Sequence, residues 1–162
     1  LLAKHIVSPQ RLAVLGGSNG GLLVGALITQ RPDLFRAAVC QVPLLDMLRY
    51  HRFRLGRLWI SEYGSSDVPE DFENLVKYSP YHHVVDHVPY PATLLTTAEN
   101  DTRVDPLHAR KMAARLQAAS SSGHRVLLRV ETEAGHGAGK PRSKQAEELA
   151  DQYTFLFQEL GM

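Results

Sequence analysis

The chain has 162 residues, 44% of them hydrophobic and 22% charged, with a formal net charge of +1 at pH 7. That is enough for one domain with a real core, and its composition is that of a globular piece. The small net charge argues against electrostatic capture of nucleic acid, and no apolar run approaches the roughly 18 residues of a membrane helix.

In chain order, 11–15 reads as a strand and 20–30 as a helix. Between them stands Gly16-Gly17-Ser18-Asn19-Gly20. A G-x-S-x-G segment between strand and helix is the nucleophile elbow of an α/β-hydrolase. The turn is so sharp that the serine is strained with its hydroxyl exposed. Glycines two residues either side are expected to let strand and helix approach without Cβ clashes. The helix N-terminus, with its free N–H groups, favours a developing oxyanion there.

The apolar run at 37–42 predicts a strand, with Cys40 buried in it. A single cysteine excludes an internal disulfide and suits a reducing compartment, which gives a cytoplasmic expectation. An irregular helical region is expected at 44–63 and a helix at 70–78. His82, His83 and His87 follow a loop signature, Tyr78-Ser79-Pro80, and lack acidic or cysteine partners at ligand spacing, so no metal is expected.

A strand at 93–97 ends in Glu99-Asn100-Asp101-Thr102-Arg103-Val104-Asp105. This is where an elbow enzyme places its acid, and Asp101 is the candidate. Glu99 and Asp105 are rivals. Asp105 precedes Pro106 and a helix at 106–121, so it reads better as an N-cap. His108 falls inside that helix.

A loop at 118–123 leads to a strand at 125–132, and Glu133-Ala134-Gly135-His136-Gly137 follows, its small residues leaving the imidazole accessible. Gly135 to Lys140 looks like a phosphate loop, but Ala134 and Pro141 break that pattern. The final helix, 142–159, carries Ala146, Leu149, Ala150, Tyr153, Leu156, Phe157 and Leu160 at helical spacing, which predicts a core-facing stripe. Strands alternating with helices imply a parallel sheet.

Ser18, Asp101 and His136 thus occur in the order serine, acid, histidine, each at the carboxyl end of a predicted strand. His136 is the base that takes the Ser18 proton, Asp101 fixes its tautomer, and the Asn19 backbone N–H donates to the oxyanion. This chemistry needs no cofactor.

Longer motifs carry a resemblance. Gly16 to Leu23 followed by Gln30-Arg31-Pro32-Asp33-Leu34-Phe35 resembles the prolyl oligopeptidase family of serine peptidases. So do Lys77-Tyr78-Ser79-Pro80, Asp101-Thr102-Arg103-Val104, Pro106-Leu107-His108 and Gly135 to Pro141. The resemblance covers nearly the whole chain. It implies cleavage of short peptides after proline. Trp59 is implied to stack on the substrate proline, Tyr63 to line the same pocket and Arg103 to bond a substrate carbonyl. Leu44 and Phe53 are expected to add apolar surface. Thr102 stands where the family commonly has a second acidic residue.

The resemblance also implies that 1–162 is the C-terminal portion of a peptidase catalytic domain, with the last four parallel strands. The first hydrolase half, with a tyrosine serving as second oxyanion donor, and a β-propeller are expected elsewhere in the protein. The expected partners are short proline-containing peptides and that N-terminal part, with neither nucleic acid nor membrane. An inactive fragment dependent on its missing half, or an esterase of the same fold, are the competing readings.

Overall fold

Four short apolar runs form the strands, and what lies between them folds over their faces. A computed structural model describes residues 2–132, 135–136 and 141–162. The strands are β1 (Ala13–Gly17), β2 (Ala37–Gln41), β3 (Ala92–Ala98) and β4 (Val126–Glu131). They form one sheet in chain order, and every pair is parallel. The helices are α1 (Asn19–Gln30), α2 (Ile60–Tyr63), α3 (Pro69–Val76), α4 (Pro80–His83), α5 (Leu107–Ala119) and α6 (Arg142–Leu160). The expected α/β class and mostly parallel sheet are therefore what the chain adopts.

Alternation along β2 and β3 sorts side chains between two cores. Ala38, Cys40 and Leu95 join Val24 and Ile28 of α1 and Met112 and Leu116 of α5. Ala37, Val39, Ala92 and Leu94 meet Phe155 and Leu156 of α6 on the opposite face. Each fully buried large aliphatic contributes roughly 1.5–3 kcal/mol of transfer free energy. A third cluster, Leu22, Leu44, Met47, Tyr50, Leu75 and Val104, underlies the irregular stretch that follows β2.

Three local expectations are corrected. β1 starts two residues later than 11, because Pro9–Arg11 closes a 3₁₀ turn, with the Leu12 N–H on the Pro9 carbonyl. The ladder to β2 then carries the strand through Gly16 and Gly17. The Tyr78-Ser79-Pro80 loop signature opens a helical turn, α4, with proline in its first turn. The third correction concerns α6. It buries Gln152, Phe155 and Leu156, while Leu149, Tyr153 and Phe157 stay about half exposed, at 48%, 52% and 49%. Of the stripe read as core, Leu156 is buried as expected, but most of the rest faces outward, and the core side is the neighbouring face, where Gln152 Oε1 accepts from Gln41 Nε2 at 2.5 Å.

Candidate active site

The elbow is built by close approach at one glycine. A Cβ on Gly16 would lie 2.4 Å from the Gly20 carbonyl oxygen, whereas one on Gly20 would meet nothing within 4 Å. The expectation of two clash-avoiding glycines thus holds for Gly16 only. Gly20 contributes the carbonyl that Gly16 must accommodate. Gly21 is the second tight position, its Cβ site 2.6 Å from Pro43.

Between them Ser18 sits at φ 55°, ψ −118°, outside the usual regions for a residue with a side chain. Its N–H donates to the Gln41 carbonyl at 2.8 Å, which ties the turn to the end of β2. Val42, next along, is itself at φ 37°. The first bond of α1 runs from the Leu22 N–H to the Ser18 carbonyl, at 3.1 Å. The N–H groups of Asn19, Gly20 and Gly21 therefore have no partner within the helix.

Asp101 is fully buried at the end of the loop leaving β3. Its Oδ1 accepts the Arg103 and Val104 N–H groups, both at 2.9 Å. Its Oδ2 meets His136 Nδ1 at 2.6 Å. His136 Nε2 faces Ser18 Oγ at 3.1 Å. The three residues singled out from the sequence thus form one hydrogen-bonded chain. Glu133, Ala134 and Gly137 to Lys140, the sequence neighbours of His136, lie outside the described residues, and the expected accessibility given by those small neighbours lies there with them.

The rivals have other partners. Asp105 Oδ1 accepts the Leu107 N–H at 2.9 Å, capping α5, and its other oxygen pairs with Arg54 at 3.3 Å. Glu99 is exposed. His108 is buried, and its Nδ1 accepts the N–H groups of Leu45 and Asp46 at 3.2 and 3.1 Å. Burial pushes this imidazole down to about 4, so it stays neutral. His82 and His83 bond Ser79 and the Val76 carbonyl, each at 2.8 Å. Among the described residues no three potential ligands converge on a metal position.

A cleft of about 170 Å³ opens beside the serine. Ser18, Asn19, Leu44, Trp59 and Tyr63 line it, with Glu62 and Arg103 supplying opposite charges. The described structure therefore brings Trp59, Tyr63 and Arg103 together with Ser18. Phe53 is not in the lining; its ring packs edge-on against His108, 5.4 Å between centroids. Glu62 is a cleft residue the sequence reading passed over. Its place between Trp59 and Tyr63 in the same helical segment was the available signal. A larger depression of about 410 Å³ lies between β4 and α6, away from the serine.

Tyr63 is held from behind. Its ring meets that of buried Tyr50 edge-on at 5.5 Å, and the Tyr50 hydroxyl donates to the Gly64 carbonyl. The Tyr63 hydroxyl donates to Asn19 Oδ1 at 2.9 Å. Burial, with the Glu62 charge beside it, pushes this phenol up to about 12.

A parallel sheet bearing a strained serine, a histidine and a buried aspartate beyond its strand ends is an α/β-hydrolase arrangement. The prolyl oligopeptidase family model matches residues 1–162, and the chain belongs to that family. A prolyl endopeptidase of Dictyostelium discoideum is 45% identical over 167 residues, covering all of this chain and 22% of the relative. A solved prolyl endopeptidase superposes with a TM-score of 0.96 at 54% identity, over 99% of this chain and 24% of that one. A post-proline cleaving enzyme from Rickettsia typhi gives a TM-score of 0.93 at 38% identity, over 99% and 23%. The chain thus spans less than a quarter of the length of these relatives.

Proposed function

We propose that the protein is a serine endopeptidase that cleaves short peptides on the carboxyl side of proline, through an acyl-enzyme on Ser18. The observation that carries this reading is the continuous chain from Ser18 Oγ through His136 to Asp101, at 3.1 and 2.6 Å.

In this scheme Ser18 Oγ attacks the scissile carbonyl as His136 Nε2 takes its proton. Asp101, its Oδ1 occupied by two amides, presents Oδ2 to Nδ1–H and stabilises the imidazolium. The Asn19 N–H, unpartnered in α1, donates to the oxyanion. Collapse of the tetrahedral species passes the His136 proton to the leaving amine. Water then repeats the sequence on the ester, releasing the acid and restoring Ser18.

Trp59 offers a flat apolar face to a proline ring, which has no N–H to satisfy, and Tyr63 and Leu44 extend that wall. Arg103 donates from its planar guanidinium to a carbonyl upstream of the scissile bond. The remainder of the catalytic domain, including a second oxyanion donor, and a propeller belong to this reading as parts outside residues 1–162. It also places the protein in the cytoplasm. No described helix is long and apolar enough to cross a membrane. Cys40 is free and buried, with burial pushing its thiol up to about 12.

The test uses a chromogenic Gly-Pro amide and a fluorophosphonate probe. The full-length protein is expected to turn over the amide with preference for proline, and Ser18→Ala to abolish both turnover and labelling. The isolated segment is expected to be nearly inactive. No proline-selective turnover by the full-length protein refutes the peptidase reading, and continued labelling of Ser18→Ala refutes the nucleophile.

A further inference from the structure

The Tyr63 hydroxyl donates to the side-chain oxygen of Asn19, another residue of the cleft lining. Asn19 is the first residue of α1 and is exposed. Asparagine side chains can hydrogen-bond their own or neighbouring backbone N–H groups. Here the one that matters is Asn19's own N–H, the donor assigned to the oxyanion. An Asn19 Oδ1 free to turn inward would compete with the developing oxyanion for that donor.

The structure keeps this acceptor occupied. Tyr63 donates to Asn19 Oδ1 at 2.9 Å across 44 residues of sequence. The ring that carries the donor is well fixed, and the Glu62 carboxylate beside it is a second acceptor for the same proton. Tyr50, fully buried, backs the ring, and the Tyr50 hydroxyl secures the carbonyl of the next residue, Gly64. Gly64 turns at φ 83°, and a Cβ there would sit 2.5 Å from the Asp71 carboxyl carbon. Asp71 in turn accepts the Ser65 N–H at 2.9 Å. The phenol stays protonated, and so a donor, through the neutral pH range.

We propose that Tyr63 is a positioning residue for the oxyanion site: its hydroxyl holds the Asn19 side chain away from the free amides at the start of α1. This rests on the reading of Ser18 as nucleophile and the Asn19 N–H as oxyanion donor. It assigns the hydroxyl a task separate from the ring, which forms cleft wall.

The experiment uses the full-length protein and three variants: Tyr63→Phe, Asn19→Ala and the double variant. Phenylalanine keeps the ring on Tyr50, and circular dichroism checks the fold. Tyr63→Phe is expected to lower kcat and the fluorophosphonate acylation rate by about tenfold, a fraction of the ~10²–10³-fold cost of deleting an oxyanion donor. KM is expected to stay within about twofold, since the ring is retained. Alanine at 19 removes the competing oxygen and leaves the backbone N–H. The double variant is therefore expected to recover to the rate of Asn19→Ala alone. A purely pocket-lining tyrosine would instead raise KM. Acylation by Tyr63→Phe within twofold of the parent overturns the proposal, as does multiplication of the two single effects. Should the full-length protein be labelled but fail to cleave after proline, the peptidase reading falls while the labelling rates still decide this one. No labelling of the unmodified protein overturns both.

Discussion

Ser18 is held in a conformation that its own side chain disfavours, and neighbours enforce it. The Gln41 carbonyl fixes its N–H, and the absence of a Cβ at Gly16 lets the chain double back. Strain of this kind costs of order 1–3 kcal/mol and persists only where surrounding packing over-determines it. His108 is a different kind of residue, buried for structural work. Burial penalises the imidazolium and pushes its pKa from the ordinary 6.5 of the unfolded chain down to about 4 in the folded one. The unfolded chain therefore binds the proton first. The stability His108 supplies is complete above pH 6.5, declines as pH falls toward 4, and is gone below; the gap corresponds to ~3 kcal/mol. His108→Gln is expected to flatten the melting temperature between pH 4 and 6.5. An unchanged profile counts against this.

Two comparisons test the elements. Gly16→Ala drives a Cβ to 2.4 Å from a backbone oxygen, and Gly20→Ala places one in open space at the start of α1. The first is expected to cost about 1–3 kcal/mol or more and the second to be neutral or stabilising by up to ~1 kcal/mol, read as melting shifts. On α6, Phe155→Ala and Leu156→Ala are expected to cost roughly 2–5 kcal/mol in this chain. Tyr153→Gln and Phe157→Gln should stay within about 0.5 kcal/mol. Equal losses on both faces would restore the inward stripe.

These cases mark what the sequence could tell. The placing of Ser18, Asp101 and His136 near one another was legible because strand ends and chain order constrain it. The parallel sheet was legible from alternation of strands and helices. The face of α6 was not. Apolar spacing defines a stripe but not which side meets the sheet, and α6 commits Gln152 to the interior through its bond to Gln41. The Tyr63–Asn19 contact was equally hidden, since it depends on how an irregular stretch folds back over the elbow. β1 slipped by two residues because pairing with β2, not side-chain preference, decided its limits.

At the scale of the whole molecule, the described sheet ends at β1 on one side, and β1 pairs only with β2. Leu15 in that strand is 47% exposed. An unpaired edge bearing apolar residues is a template for further pairing. The isolated segment is expected to self-associate, giving sedimentation coefficients that rise with concentration. A soluble, cooperatively melting monomer would contradict this.

The proposed nucleophile and its base are 118 residues apart, and they meet at 3.1 Å. A nascent chain that has displayed the serine has yet to make β3, β4 and the turn bearing the imidazole. A chain that stops before residue 136 lacks the proposed base and cannot run the proposed reaction. On the proposed function, turnover is therefore expected to report completed assembly of the sheet.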